Sequence, residues 1–102
     1  MVELLKDKSQ QIAALCEKYG VRHLHVFGSA LRDDFRAGES DLDLLVEFEP
    51  MEPPELADAY FGLLDELRKT LGTEIDLVMA DAVKNRFIAE DIERTKQILY
   101  AA

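Results

Sequence analysis

Two aspartates separated by one residue, Asp41 and Asp43, have a spacing at which their carboxylates could act together, for example in binding a cation. They open the segment 41–48, whose apolar residues alternate with others as expected of a largely buried strand. Side chains two apart on a strand project from the same face, so these carboxylates would lie side by side and repel each other. They therefore need a partner, which could be a basic side chain, a helix N-terminus or a divalent cation such as Mg²⁺.

A third carboxylate, Asp76, lies within another apolar segment, residues 74–79. If the two segments are neighbouring strands, Asp76 stands beside Asp43 on the same face. Three converging carboxylates favour a metal site, and two metal ions there would clamp the attacking and leaving oxygens of a phosphoryl or nucleotidyl transfer. The structural alternative is that Asp76 only forms an ion pair with Arg32 or Lys84.

Gly28 and Ser29 follow directly on the strand predicted for residues 21–27 and precede a short helix predicted for residues 30–35. The first backbone N–H groups of a helix attract an anion, a glycine lets a phosphate come close, and Ser29 adds a hydroxyl donor. The alternative is that Gly28 only makes a tight turn and Ser29 only caps the helix. The phosphate-binding interpretation of Gly28 and Ser29 is favoured because Asp-x-Asp opens the next predicted strand twelve residues after Ser29.

The elements that must position these residues follow the order α-β-α-β-α-β-α. Hydrophobic periodicity predicts further helices over 3–19, 55–71 and 82–99, and strands over 21–27, 41–48 and 74–79. We expect the last helix to be capped by Asp81 and to turn inward Val83, Phe87, Ile92, Ile98 and Leu99. The order predicts an α/β (α+β) fold in which helices pack on a small mixed sheet, within one domain spanning residues 1–102.

Charge is distributed unevenly along the chain, which has 21 acidic and 12 basic residues and a formal net charge of −9. The acidic excess lies in residues 41–81, where most of the carboxylates are expected to form a solvated face. The balance argues against a protein that holds long nucleic acid by neutralising its phosphates, because such proteins present a basic stripe. It argues equally against binding to an anionic membrane surface.

The remaining reactive residue types are less informative. His23 and His25 alternate on the first strand and so share a face, where two imidazoles could bind metal, although hydrogen-bonded sheet histidines are commoner. The single cysteine, Cys16, excludes an internal disulfide and favours a reducing compartment. Since no apolar run approaches the length of a membrane span, we expect a cytoplasmic protein.

Two segments of the sequence together resemble a known signature. Residues 27–32, Phe-Gly-Ser-Ala-Leu-Arg, and residues 40–48, Ser-Asp-Leu-Asp-Leu-Leu-Val-Glu-Phe, are similar to those of the minimal nucleotidyltransferases (MNT). These proteins belong to the polymerase-β-like nucleotidyltransferase superfamily. The resemblance extends from the first strand to Asp76 and into the last helix, and it implies the nucleotidyltransferase fold.

The resemblance also implies roles for individual residues. Asp41 and Asp43 would bind two Mg²⁺ ions that hold the triphosphate of ATP. Asp76 would bind a metal and act as general base toward the acceptor hydroxyl. The implied nucleotide-binding residues are Gly28, Ser29, Arg32 and Ser40.

Members of this group are often antitoxins encoded beside a HEPN-domain ribonuclease toxin. The resemblance therefore implies transfer of AMP from ATP to a tyrosine hydroxyl of such a toxin, and the negative net charge fits a protein acceptor better than a polynucleotide. The alternative is a non-catalytic antitoxin that neutralises its toxin by binding alone. A transferase for a small-molecule alcohol and an acidic domain without a ligand also stay open, as does assembly into a homo- or hetero-oligomer.

Overall fold

A four-stranded mixed sheet organises the part of the chain that this computed structural model describes, residues 3–28 and 41–102. The strands are β1 (Val21–Phe27), β2 (Leu42–Phe48), β3 (Ile75–Met79) and β4 (Gln97–Ala101). The helices are α1 (Glu3–Asp7), α2 (Ser9–Lys18), α3 (Pro53–Leu71) and α4 (Arg86–Thr95), with a 3₁₀ turn at Ala80–Ala82. The strand order is β3-β2-β1-β4, in which β1 is antiparallel to both neighbours and β2 is parallel to β3. The predicted α/β fold with a small mixed sheet is thereby confirmed.

The hydrophobic core lies between one face of the sheet and the helices α2 and α3. Alternate residues of β2, Leu42, Leu44 and Val46, are at most 1% exposed and enter this core. The side chains that meet them include Ile12, Cys16, Leu24, Val26, Leu63, Leu67 and Leu77. Because side chains alternate along a strand, Asp43 and Glu47 point to the opposite face of the sheet.

Helix α3 forms where its sequence predicts it and fixes the position of β3. It starts with Pro53 at the first turn, where a missing N–H costs nothing, and it ends at Gly72 in the left-handed conformation. Its buried stripe repeats at helical spacing and consists of Ala59, Leu63, Leu67 and Leu71. On the same helix the Tyr60 hydroxyl donates a hydrogen bond of 2.6 Å to the backbone carbonyl of Leu77, which ties α3 to β3.

The predicted helix over residues 3–19 is two helices, which are separated at Lys8. Lys8 has φ −104° and ψ 14°, outside the helical range, and its side chain makes no capping hydrogen bond. Leu5 and Ile12 are each 1% exposed on either side of the break, so the hydrophobic stripe continues through it. No helix in the described ranges is both long and apolar enough to cross a bilayer.

The prediction of one helix over residues 82–99 is wrong. The chain forms the shorter helix α4 and then the strand β4, which pairs with β1. Asn85, rather than Asp81, caps α4 by accepting hydrogen bonds from the N–H groups of Phe87 (2.9 Å) and Ile88 (3.1 Å). Of the side chains expected to face inward, Ile92 is buried, Val83 and Leu99 are half-buried, and Phe87 and Ile98 are exposed. The cause is non-local, since β1 takes residues 97–101 as its second strand neighbour.

Candidate active site

Asp43 and Asp76 are direct partners in the parallel pairing of β2 with β3. Paired residues of adjacent strands project from the same face, and adjacent strands lie about 4.8 Å apart. The structure therefore brings these two aspartates together as the sequence predicted for neighbouring strands. Asp43 is half-buried and Asp76 is exposed, so the pair is open to a ligand from solvent.

Asp41 lies at the same end of the sheet, one residue before β2 begins. The next residue, Leu42, donates its backbone N–H to the carbonyl of Glu74 at 2.9 Å, so the pairing with the β3 segment starts there. Leu42 is 0% exposed and points into the core. Asp41 is exposed. The three predicted carboxylates are therefore at the start of two adjacent parallel strands.

Gly28 directly follows β1 and lies beside the carboxylate of Asp43. Its predecessor Phe27 is the β1 partner of Asp43, and Gly28 itself has a φ of +70°, a left-handed value that favours glycine. A Cβ atom added to Gly28 would lie 2.3 Å from Oδ2 and 3.2 Å from Cγ of Asp43. The backbone of Gly28 and the Asp43 carboxylate are thus in direct contact.

Three of the predicted phosphate-binding residues, Ser29, Arg32 and Ser40, lie outside the described residues, as does the predicted helix over 30–35. Their roles stay predictions. Within residues 3–28 and 41–102 no three His, Cys, Asp or Glu side chains are grouped so that they alone could hold a metal ion.

The carboxylates nevertheless fit Mg²⁺ chemistry. Mg²⁺ takes oxygen ligands and is usually bound by one or two carboxylates together with waters and substrate phosphates. Asp43 and Asp76 supply two carboxylates on one face, and Asp41 lies two residues before Asp43. They match the protein's share of such a site, which the phosphates of a bound nucleotide would complete.

A cavity of about 210 Å³ lies further along the strands on the same face of the sheet. Its lining residues are His23, His25, Leu45, Glu47, Ala80 and Lys96. Leu45 is two residues beyond Asp43 on β2 and is paired with His25 of β1. Alternation along β1 predicts that the two histidines share this face, whereas the approach of Lys96 depends on the chain path after α4 and has no local sequence signal.

The groups around this cavity keep His25 uncharged over a wider pH range than a free histidine. Burial, followed by the positive charge of Lys96, lowers the pKa of His25 because both disfavour the imidazolium ion. Glu47 lies opposite His23 on β2, and its Oε1 is 3.3 Å from Nδ1 of that histidine. The β1 face two residues along from the Asp43 pairing therefore carries an imidazole that resists protonation.

Comparison with known proteins gives consistent matches. The family model described as a nucleotidyltransferase domain matches residues 8–99. The protein adenylyltransferase MntA of Thermococcus cleftensis is 41% identical over 71 residues, which are 70% of this chain and 68% of that protein.

Solved structures with the same fold include one described as a candidate minimal nucleotidyltransferase. It is 30% identical, with a TM-score of 0.77, and the match covers 95% of each chain. The fold also occurs in a complex of a tri-AMPylated HEPN toxin from Shewanella oneidensis with an MNT antitoxin. That match has a TM-score of 0.64 at 17% identity and covers 96% of this chain and 73% of the other.

Proposed function

This chain belongs to the nucleotidyltransferase domain family, and from that membership we propose that it is an antitoxin enzyme that transfers AMP from ATP to a tyrosine hydroxyl of a HEPN ribonuclease toxin. The observation that carries the proposal is the in-register pairing of Asp43 with Asp76 beside Gly28. Support for AMP and for a protein acceptor comes from the related protein adenylyltransferase. Support for a HEPN partner comes from the complex that contains an AMPylated HEPN toxin.

The proposed transfer is a single displacement at the α-phosphorus of ATP. The tyrosine oxygen forms a bond to that phosphorus, the bond to the β-phosphate oxygen breaks, and pyrophosphate leaves. Asp76 accepts the hydroxyl proton as general base, a role that suits an exposed carboxylate. Gly28, Ser29, Arg32 and Ser40 bind the phosphate groups.

Mg²⁺ would be held by Asp41, Asp43 and Asp76, and when bound it would neutralise charge on the transferring and leaving phosphate oxygens. The positions of Asp43 and Asp76 favour this assignment, since they place two oxygen ligands on one face. We propose two ions, which is the number that the resemblance to the minimal nucleotidyltransferases implies. The proposed setting for the reaction is the cytoplasm.

The proposal is tested by incubating the purified protein with ATP, Mg²⁺ and the HEPN protein encoded beside it. Intact-mass spectrometry should show the toxin gaining the mass of AMP, and peptide mapping should place the addition on a tyrosine. EDTA and the substitution Asp43→Asn should each abolish the gain. Asp58→Asn, an isosteric change on α3 at the other side of the sheet, is the matched control and should leave it intact.

The alternative, neutralisation by binding alone, gives a distinct result. The toxin would lose its ribonuclease activity in the presence of the wild-type protein without any change in mass. It would be neutralised equally well by the Asp43→Asn protein. That outcome would show that the enzymatic proposal is wrong even though the protein is an antitoxin.

A further inference from the structure

Three glycines in the described ranges have left-handed backbone angles, and they differ in what surrounds them. The values of φ are +71° at Gly20, +70° at Gly28 and +65° at Gly72. A Cβ atom added to Gly72 would meet nothing within 4 Å, whereas at Gly20 it would lie 3.1 Å from the terminal methyl of Met51. Of these three glycines, only Gly28 is placed so that an added Cβ would overlap a carboxylate, that of Asp43.

The contact at Gly28 affects the position of the Asp43 carboxylate more than the stability of the fold. The atom that a Cβ would overlap is Asp43 Oδ2, 2.3 Å away, at the far end of a flexible side chain. A larger residue at Gly28 would therefore displace the carboxylate while leaving the strands in place. The main loss is then the alignment of Asp43 with its partner Asp76.

We propose that Gly28 is a positioning residue whose bare backbone forms the wall against which the Asp43 carboxylate rests. This role is separate from any contact between Gly28 and a phosphate, because that contact would use the backbone N–H, which an alanine retains. The consequence for catalysis rests on the proposed function, whereas the contact itself is a property of the fold. An error of about 1 Å in the position of a reacting group can lower a rate about 100-fold.

The kinetic test compares Gly28→Ala with Gly20→Ala. Both substitutions place a Cβ at nearly the same left-handed φ, one at each end of β1. At Gly20 that atom meets only the terminal methyl of Met51, whereas at Gly28 it meets the Asp43 side chain from its carboxylate back to its Cβ. We expect similar falls in melting temperature, about 4–8 °C, from the shared backbone penalty. Gly28→Ala should also lower kcat for AMP transfer about 100-fold with little change in KM for ATP, while Gly20→Ala keeps the wild-type kcat. An unchanged kcat, or a loss confined to KM, would overturn the positioning role.

A second measurement is independent of activity. The ¹³C resonance of the Asp43 carboxylate, assigned by its absence from the Asp43→Asn protein, should shift in Gly28→Ala and stay in place in Gly20→Ala. If the resonance shifts as expected and the wild-type protein transfers nothing, the proposed function fails and the contact stands. If it does not shift in Gly28→Ala, the contact does not position Asp43, whatever the activity.

Discussion

Asp76 lies opposite Asp43 in the parallel pairing of β2 and β3, and the core fixes that alignment. The next pair along the two strands, Leu44 and Leu77, is 0% and 4% exposed. Sliding β3 by one residue would turn Asp76 into the core and Leu77 into solvent. The apolar residues on one face of the sheet thus hold the carboxylates on the other face in register, against their mutual repulsion.

Substituting both Asp43 and Asp76 should reduce the transfer activity little more than substituting either one. We expect Asp43→Asn and Asp76→Asn each to lower kcat/KM for AMP transfer by at least about 100-fold, and the double variant to fall only slightly further. The reason is that both residues belong to one ligand set in the proposed site, and either change would disrupt that set. Initial rates with labelled ATP measure this, with Asp58→Asn as the control. If the double variant loses kcat/KM by the product of the two single losses, the two carboxylates act independently.

Tyr60→Phe should loosen the attachment of β3 to α3. It removes the 2.6 Å hydrogen bond to the Leu77 carbonyl, which should reduce the free energy of unfolding by about 1 kcal/mol. For a protein of this size that corresponds to a fall in melting temperature of about 4–8 °C. Thermal unfolding followed by circular dichroism measures the change.

Tyr100→Phe is the comparison for that experiment, because Tyr100 is also half-buried but lies on β4 at the other edge of the sheet. It should lower the melting temperature less than Tyr60→Phe does. Equal effects would show that the hydrogen bond to Leu77 contributes no more than the loss of any half-buried hydroxyl.

The lowered pKa of His25 makes stability depend on pH in a defined direction. Below about pH 6.5 the unfolded chain gains a proton at this residue that the folded protein resists, so the free energy of unfolding falls as the pH drops toward the folded pKa. His25→Gln should remove this contribution, and melting temperatures at pH 7.5 and 5 should then differ less than in the wild type. Lys96→Gln should remove only part of this pH dependence, because burial is the larger cause of the lowered pKa of His25 and would remain. An identical pH dependence in the wild type and His25→Gln would contradict the prediction.

Cys16 should be chemically inert until the protein unfolds. It is 0% exposed, and burial raises the pKa of its thiol to about 12. Since the thiolate is the reactive species, alkylation by iodoacetamide at pH 8 should be at least about 1000-fold slower in native buffer than in urea. Mass spectrometry over time gives both rates. Comparable rates in the two conditions would mean that the helix bearing Cys16 opens locally.

Local patterns predict the parts of this fold that local interactions determine. The strand predicted over residues 21–27 is β1, and the helix predicted over 55–71 is α3 apart from its first turn, which begins at Pro53. The alternation that places Asp43 opposite the buried face is likewise a property of one strand. Its meeting with Asp76 needs β2 and β3 to be neighbours, which the helical crossover between them permits and the structure shows.

What the sequence does not show is which segments meet from far apart in the chain. Residues 97–101 continue the apolar spacing of α4 and could extend the helix, but they pair with β1 because its hydrogen-bonding groups on that side need a partner. Short apolar runs of this kind fit either a helix or a strand by periodicity alone. The same limit applies to Lys96 beside His25, since that approach depends on how α4 leads into β4.

The placement of β4 has a consequence for the order in which the protein assembles. A chain emerges from the ribosome N-terminus first, so the segments that form β1, β2 and β3 emerge before residues 97–101 do. The candidate carboxylates can be aligned at that stage, while β1 still presents an unpaired edge to the surrounding solution. Unpaired edges template association with other chains. During synthesis the nascent protein is therefore most exposed to aggregation after the candidate carboxylates are aligned and before its sheet is complete.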